Sequence, residues 1–328
     1  MLRFVARRLT LFFPMLFLMS IVAFGLIQAP PGDFVSDLVS QLRASGEQVD
    51  QAEMQQLIKR YGLDRPVYVQ YGKWIWGVLH WDLGQSIEFR KPVTELLNER
   101  LAMTLVLGVM TIVFTWTLAI PIGIISAIKQ YSFIDYFFTF LSYMGVGTPN
   151  FLLALVLMWF LFAWFGIEIT GLFSPEFVDA DWGLGKVWDM LKHIWVPMLI
   201  VGTDGTARFT RIVRANLLDE MSKPYVETAR AKGLPEWKVM LKYPVRLSLN
   251  PFVSTAGLEL PQLFSGSLIV ASVMSLPTIG PLLLRALFSQ DMFMAGSIIL
   301  ILTALTLIGV LISDIILAAM DPRIRMEA

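Results

Sequence analysis

Four long apolar runs constrain this chain more than anything else in it. Leu9–Ala29, Leu101–Ile128 and Tyr136–Ile167 contain no Asp, Glu, Lys or Arg, and Met292–Met320 contains only Asp314, close to its end. A helix of about 20 apolar residues crosses the ~30 Å hydrocarbon of a bilayer, and each run is long enough. Backbone polar groups in lipid must bond within the structure, which leaves a helix as the way for such a run to span. The predicted fold is therefore an all-α integral membrane protein. Composition agrees: 56% of the 328 residues are hydrophobic and 16% charged, against roughly 45–50% and 25% in soluble domains. Arg3, Arg7 and Arg8 lead into the first run. That run exceeds a signal-peptide core and no small-residue cleavage site follows it, so it reads as a retained first span.

Two weaker segments bring the count to six. Ile194–Thr203 is uncharged until Asp204, with Arg208 four residues on; Leu247–Ser275 is interrupted at Glu259 and closed by Pro277-Thr278-Ile279-Gly280-Pro281. Between spans one and two, residues 33–100 read as a large external region. In it Leu38–Arg43 and Ala52–Tyr61 are short amphipathic helices, and Val67–Leu79 is rich in aromatics (Tyr68, Tyr71, Trp74, Trp76). Such a segment suits the outer headgroup layer or a small packed subdomain. Lys129–Asp135 reads as a tight turn, and Glu168–Lys192 as a polar loop. Basic residues at Arg3, Arg7, Arg8, Lys129, the Arg208–Arg246 segment, Arg323 and Arg325 fall on one side of six spans. By the positive-inside rule that side is cytoplasmic, with both termini inside. The natural division is residues 1–100, the first helix plus external region, and 101–328, a five-helix core.

One charged stretch stands apart, Tyr225–Pro251, inside a loop of about residues 215–246 between spans four and five. Lys223, Arg230, Lys232, Lys238, Lys242 and Arg246 alternate with acids at helix-compatible spacing around Gly233. Unpaired charges in lipid are costly, so this helix–Gly–helix faces water and offers a surface to another protein. Catalytic signatures do not occur: no G-x-x-x-x-G-K-[ST], no H-E-x-x-H and no nucleophile elbow. With no cysteine and only His80 and His193, neither a disulfide framework nor a metal site is expected. No cofactor is expected, and balanced charge, 26 basic against 26 acidic residues, gives no argument for nucleic acid.

The residues also resemble a known family. Glu227-Thr228-Ala229, three residues, then Gly233 is similar to the cytoplasmic E-A-A–x3–G loop of ABC-importer permeases. Pro31-Gly32-Asp33, Gly62-Leu63-Asp64 with Pro66, Asp82-Leu83-Gly84-x-Ser86, Gly147-Thr148-Pro149, Tyr225-x-x-Thr228-Ala229-Arg230-Ala231-Lys232-Gly233-Leu234 and Asp321-Pro322-Arg323-Ile324-Arg325 follow in order. Together they resemble the B-type permease subunit of the dipeptide/oligopeptide/nickel family, over essentially the whole chain. The resemblance implies the type I importer fold, in a bacterial inner membrane. It also implies a second homologous permease, two cytoplasmic ABC ATPases that would hydrolyse the ATP, and an external substrate-binding protein. In that family the E-A-A loop is the coupling helix docked on the ATPase, which passes its closure to spans four and five as a rigid-body movement. Gly233 suits a helix end with positive φ. Glu227 suits a charged or capping contact at the partner, and Ala229 and Ala231 permit close approach. One departure concerns cargo. Val270-Ala271-Ser272-Val273-Met274-Ser275-Leu276-Pro277-Thr278-Ile279-Gly280 stands where the family has roughly V-E-x-x-F-x-x-P-G-x-G, which implies a different exit or binding-protein contact at the outer end of span five.

Asp204 and Glu259 leave two readings open. They line the translocation path beside Gly147, Thr148 and Pro149, or they are neutralised locally, Asp204 by Arg208 and Glu259 by a neighbouring helix. The Gly145–Pro149 cluster is likewise either a pathway kink or a packing break. The function expected is the permease subunit of a binding-protein-dependent importer of peptides, or of oligosaccharides on the same architecture. A stand-alone secondary transporter would show inverted repeats or a central ion site, and the sequence displays neither.

Overall fold

A computed structural model describes residues 2–28, 65–86, 88–256, 268–289 and 291–320. Among the described residues the chain is helical, without a named strand. The helices are α1 (Leu2–Gln28), α2 (Val67–Leu79), α3 (Val93–Ile128), α4 (Phe133–Gly147), α5 (Asn150–Phe165), α6 (Leu184–Met221), α7 (Pro224–Ala231), α8 (Glu236–Lys242), α9 (Pro244–Ala256), α10 (Ile279–Phe288) and α11 (Met292–Met320). Among the described residues three, α1, α3 and α11, are long and apolar enough to cross a membrane, and α4 with α5, a sharply bent pair, raises the number to four when counted as one span. The predicted helices Leu38–Arg43 and Ala52–Tyr61, the motifs Pro31–Asp33, Gly62–Asp64 and Asp321–Arg325, and Glu259 lie outside the described residues.

The third apolar run is two helices meeting at 105°. Proline at 149 forces the break. It pushes the preceding residue out of the helical region, and Thr148 sits extended at φ −100°, ψ 120°. Ser132 caps the start of α4 by accepting from the Asp135 N–H at 3.3 Å, and Gly166 ends α5 at φ +65°. The polar loop read at Glu168–Lys192 is corrected in its second half, because α6 already begins at Leu184. Its polar residues have partners that let the helix run on: Asp189 accepts from the Ser174 hydroxyl and N–H, both at 2.7 Å, and Lys186 donates to the carbonyls of Val178 and Ala180.

The chain forms two compact units. One contains α1 from Leu9, α2, the start of α3, the end of α10 and the start of α11. In it α2 packs on α1 through Tyr71, which shares a 2.8 Å hydrogen bond with Ser20, and through Trp74 against Phe24. Val67–Leu79 is thus a packed element, whatever else its exposed Tyr68 and Trp76 touch. The Asp82–Ser86 motif is a turn: Gly84, at φ +82°, donates to Asp82 and lies 3.1 Å from the Phe293 ring by any added Cβ. Ser86 donates to the fully buried Asp291 at 2.5 Å, and Asp291 caps α11 by accepting from the Met294 N–H.

The other unit contains the start of α1 up to Arg8, the rest of α3, α4 to α9, the start of α10 and the end of α11. Small residues let its helices approach closely, as expected where lipid gives no hydrophobic drive between them. A Cβ on Gly123 of α3 would lie 2.9 Å from the Thr210 carbonyl oxygen of α6, and one on Gly145 of α4 would lie 3.1 Å from Thr203 and Ala207. Arg8 of α1 pairs with Asp314 of α11 at 3.2 Å, so the boundary aspartate is neutralised. The Val270–Gly280 stretch is core. Ala271 and Met274, where the family carries its acid and aromatic, are 1% and 0% exposed, and Thr104 receives the Ile279 N–H.

Candidate functional site

The charged stretch folds on itself. Proline at the first turn starts α7, and Gly233 ends it at φ +72°, where only glycine is unstrained. Pro235 then opens α8, whose Lys238 and Val239 amides donate to its carbonyl. Val226, Ala229 and Val239 form a buried cluster flanked by Tyr225, Leu234 and Tyr243. Arg230 clasps Glu236 across the turn, Nη2 to Oε1 at 2.6 Å with Nε at 3.2 Å from both carboxylate oxygens. The Arg230 hydrogen bond holds the Glu236 carboxyl below the ordinary range. Burial and the Glu220 carboxylate push the Tyr225 phenol far above its ordinary range, so it remains the donor in its hydrogen bond to Glu220.

The pair α7–α8 hangs between two helices that hold each other. Leu217 of α6 and Val245 of α9 share a core with Ala127 of α3, and Phe209 meets Phe252 at 4.7 Å. A force on the loop is therefore applied to packed helix ends rather than to slack chain.

Each predicted loop residue now has a place. Glu227, Thr228, Arg230, Ala231, Lys232 and Gly233 are exposed, Tyr225 and Leu234 half-buried. The close approach that Ala229 permits is within the loop, since it lies in the loop's own core at 5% exposure, whereas Ala231 is on the exposed face. Trp237 and Leu241 were not picked out by motif, yet both are exposed, at 62% and 57%, one turn apart on α8. Their signal was an i,i+4 apolar pair within a charged segment.

Gly147 has open space around it, Thr148 and Pro149 form the break, and the close contact belongs to Gly145 two residues earlier. Asp204 accepts from Arg208 Nη2 at 2.8 Å, with side chains 39% and 30% exposed, so local neutralisation is present. No group of three or more metal-ligating side chains occurs among the described residues.

Spanning apolar helices, with a self-packed polar helix pair presenting a charged outer face, define an integral membrane protein with a structured water-facing loop. The chain belongs to the family described as binding-protein-dependent transport system inner membrane component, which matches residues 119–326, and the N-terminal model of the same systems matches residues 1–108. It is 34% identical to the oligopeptide transport system permease protein AppB of Bacillus subtilis, over 98% of both chains. It is 31% identical to the dipeptide transport system permease protein DppB of Escherichia coli K12, over 99% of both, and to that of Alkalihalophilus pseudofirmus, over 99% of this chain and all of the relative. The chain is thus a multi-pass inner-membrane permease of an ABC importer and not an enzyme. Permeases of this family associate with ATPase and substrate-binding partners.

Proposed function

We propose that this chain forms half of the translocation path of a peptide importer, paired with a second homologous permease, two cytoplasmic ATPases and an external binding protein. Tyr225–Leu234 is the loop that seats on an ATPase. The observation that carries this reading is the loop's construction: a private core of Val226, Ala229 and Val239 beneath an outer face of Glu227, Ala231 and Lys232. Six spans complete the path, the fourth and fifth within α6 and from α9 onward, and both termini are cytoplasmic. The Arg8–Asp314 pair supports both ends lying on one side, since it holds the start of α1 beside the end of α11, and the basic residues at that side make it the inner one. Gly147, Thr148 and Pro149 line the path at the break, and Asp204 is neutralised beside it by Arg208. The division at residue 100 separates the external region from the transporting core. Peptide cargo follows from the oligopeptide and dipeptide systems of the relatives; no observation favours an oligosaccharide.

ATPase closure pushes α7–α8 as one body, and the packed ends of α6 and α9 carry the displacement into the bundle. The test is Glu227→Arg with Gly233→Trp in the assembled transporter. Uptake and substrate-stimulated ATP hydrolysis are abolished while membrane insertion is intact. Unchanged uptake overturns the reading.

A further inference from the structure

Asp135 is almost fully buried, with 3% of its side chain exposed, at the start of a helix that runs into the membrane. Its carboxylate accepts Arg214 Nε on Oδ1 at 2.7 Å and Nη2 on Oδ2 at 2.8 Å. The Tyr131 N–H at 3.0 Å and the Thr139 hydroxyl at 3.4 Å complete its shell. Toward the other end of the same helix pair, Gly145 sits against Thr203 and Ala207. Between these two points the Arg211 guanidinium lies over the Tyr143 ring at 5.5 Å. As the number rises from 135 to 145 on α4, it falls from 214 to 203 on α6. The two helices are antiparallel and tied along roughly 15 Å, at ~1.5 Å per residue.

The positions of these ties matter. Arg214 stands ten residues before Pro224, where the loop proposed to meet the ATPase begins, and Gly145 stands three residues before Thr148, where the span breaks. A planar guanidinium held at two atoms by one carboxylate resists rotation as well as separation. We propose that α4 and α6 move as a single body, so that displacement received at α7–α8 is delivered to the Thr148–Pro149 break, with Asp135 and Arg214 as positioning residues for transport. This rests on the reading of α7–α8 as the ATPase-facing loop. It adds an output that loop position alone does not give: α4 is carried with α6 as far as the break at Thr148–Pro149.

The experiment uses the complete transporter in proteoliposomes and reads uptake per ATP hydrolysed. Asp135→Asn, or Arg214→Lys if the first variant fails to assemble, keeps hydrolysis and loses about ten-fold in uptake per ATP, a loss of coupling rather than of either binding step. A second measurement needs no destabilising change. The chain has no cysteine, so spin labels at Phe140→Cys and Ala215→Cys report the α4–α6 distance alone. That distance stays within about 2 Å between nucleotide-free and ATP-bound states, against the roughly 5 Å of a one-turn slip. Uptake per ATP unchanged in the charge variants, or a label distance that shifts by a turn in the wild-type background, overturns the proposal. Failure of the loop reading looks different: Glu227→Arg with Gly233→Trp leaves uptake unchanged while the label distance still holds.

Discussion

Two guanidinium–carboxylate pairs in this chain share a geometry and differ in everything else. Asp135 and Arg214 meet at 2.7 and 2.8 Å with 3% and 26% of their side chains exposed; Arg230 and Glu236 meet at 2.6 Å with 43% and 59% exposed. The first joins helices from distant parts of the sequence, with its carboxylate closed off from solvent and dependent on its partners for compensation. The second closes a turn in water, where hydration competes with the bond and salt screens it. A buried pair fixes two helices to each other. An exposed one shapes a loop yet leaves its charges available to a docking subunit. The molecule thus has a buried tie between α4 and α6 and an exposed clasp across the α7–α8 turn.

The contrast can be broken most directly at its strong end. Asp135→Ala leaves Arg214 without its partner, and removal of one member of a buried pair costs about 3–5 kcal/mol. The purified variant melts well below wild type in detergent; a melt within error of wild type means the pair is not a tie. Next comes a steric probe of the same bundle. Gly123→Val drives a methyl into the Thr210 carbonyl and the Val213 side chain, an overpacking cost of about 1–3 kcal/mol, read from the same melt. Arg230→Ala is the matching change at the exposed clasp. It shifts stability by no more than about 1 kcal/mol, while amide exchange rises locally through residues 224–242.

The smallest effect is the pH response. Arg230 depresses the Glu236 carboxyl, so its contribution is present above the unfolded carboxylate value and is lost as pH falls through the lower folded one. At neutral pH the clasp is closed, and it opens only below the ordinary carboxylate range near ~4. Glu236→Gln therefore narrows its gap from wild type as the medium is acidified, and a gap that widens contradicts the assignment.

How much of this the sequence declared depends on whether the cause is local. The helical runs, the break at Pro149 and the end of α7 at Gly233 follow from hydropathy and from what proline and glycine do to their own neighbours. Asp135 closed an apparent tight turn, and nothing nearby marks it as buried, because its partner lies 79 positions away. Ser86 meets Asp291 across 205 positions. The start of α6 was hidden for a related reason: Lys186 and Asp189 look like loop residues until their carbonyl and serine partners are seen. Among the candidate site residues the exposed face of α7 was legible from the E-A-A-like spacing. Which of Ala229 and Ala231 turns inward was not, since periodicity on a helix of eight residues does not say which face is buried, and Trp237 and Leu241 fell beyond the motif.

The central claim is that α7–α8 is the surface another subunit grips. Single cysteines at Glu227, Ala231 and Trp237, labelled with a photo-crosslinker in the assembled transporter, test it directly. The account predicts adducts with an ATPase subunit from all three positions, and none from a control at Lys73 on α2. Labels at 227, 231 and 237 that capture no other chain, with and without ATP, contradict it.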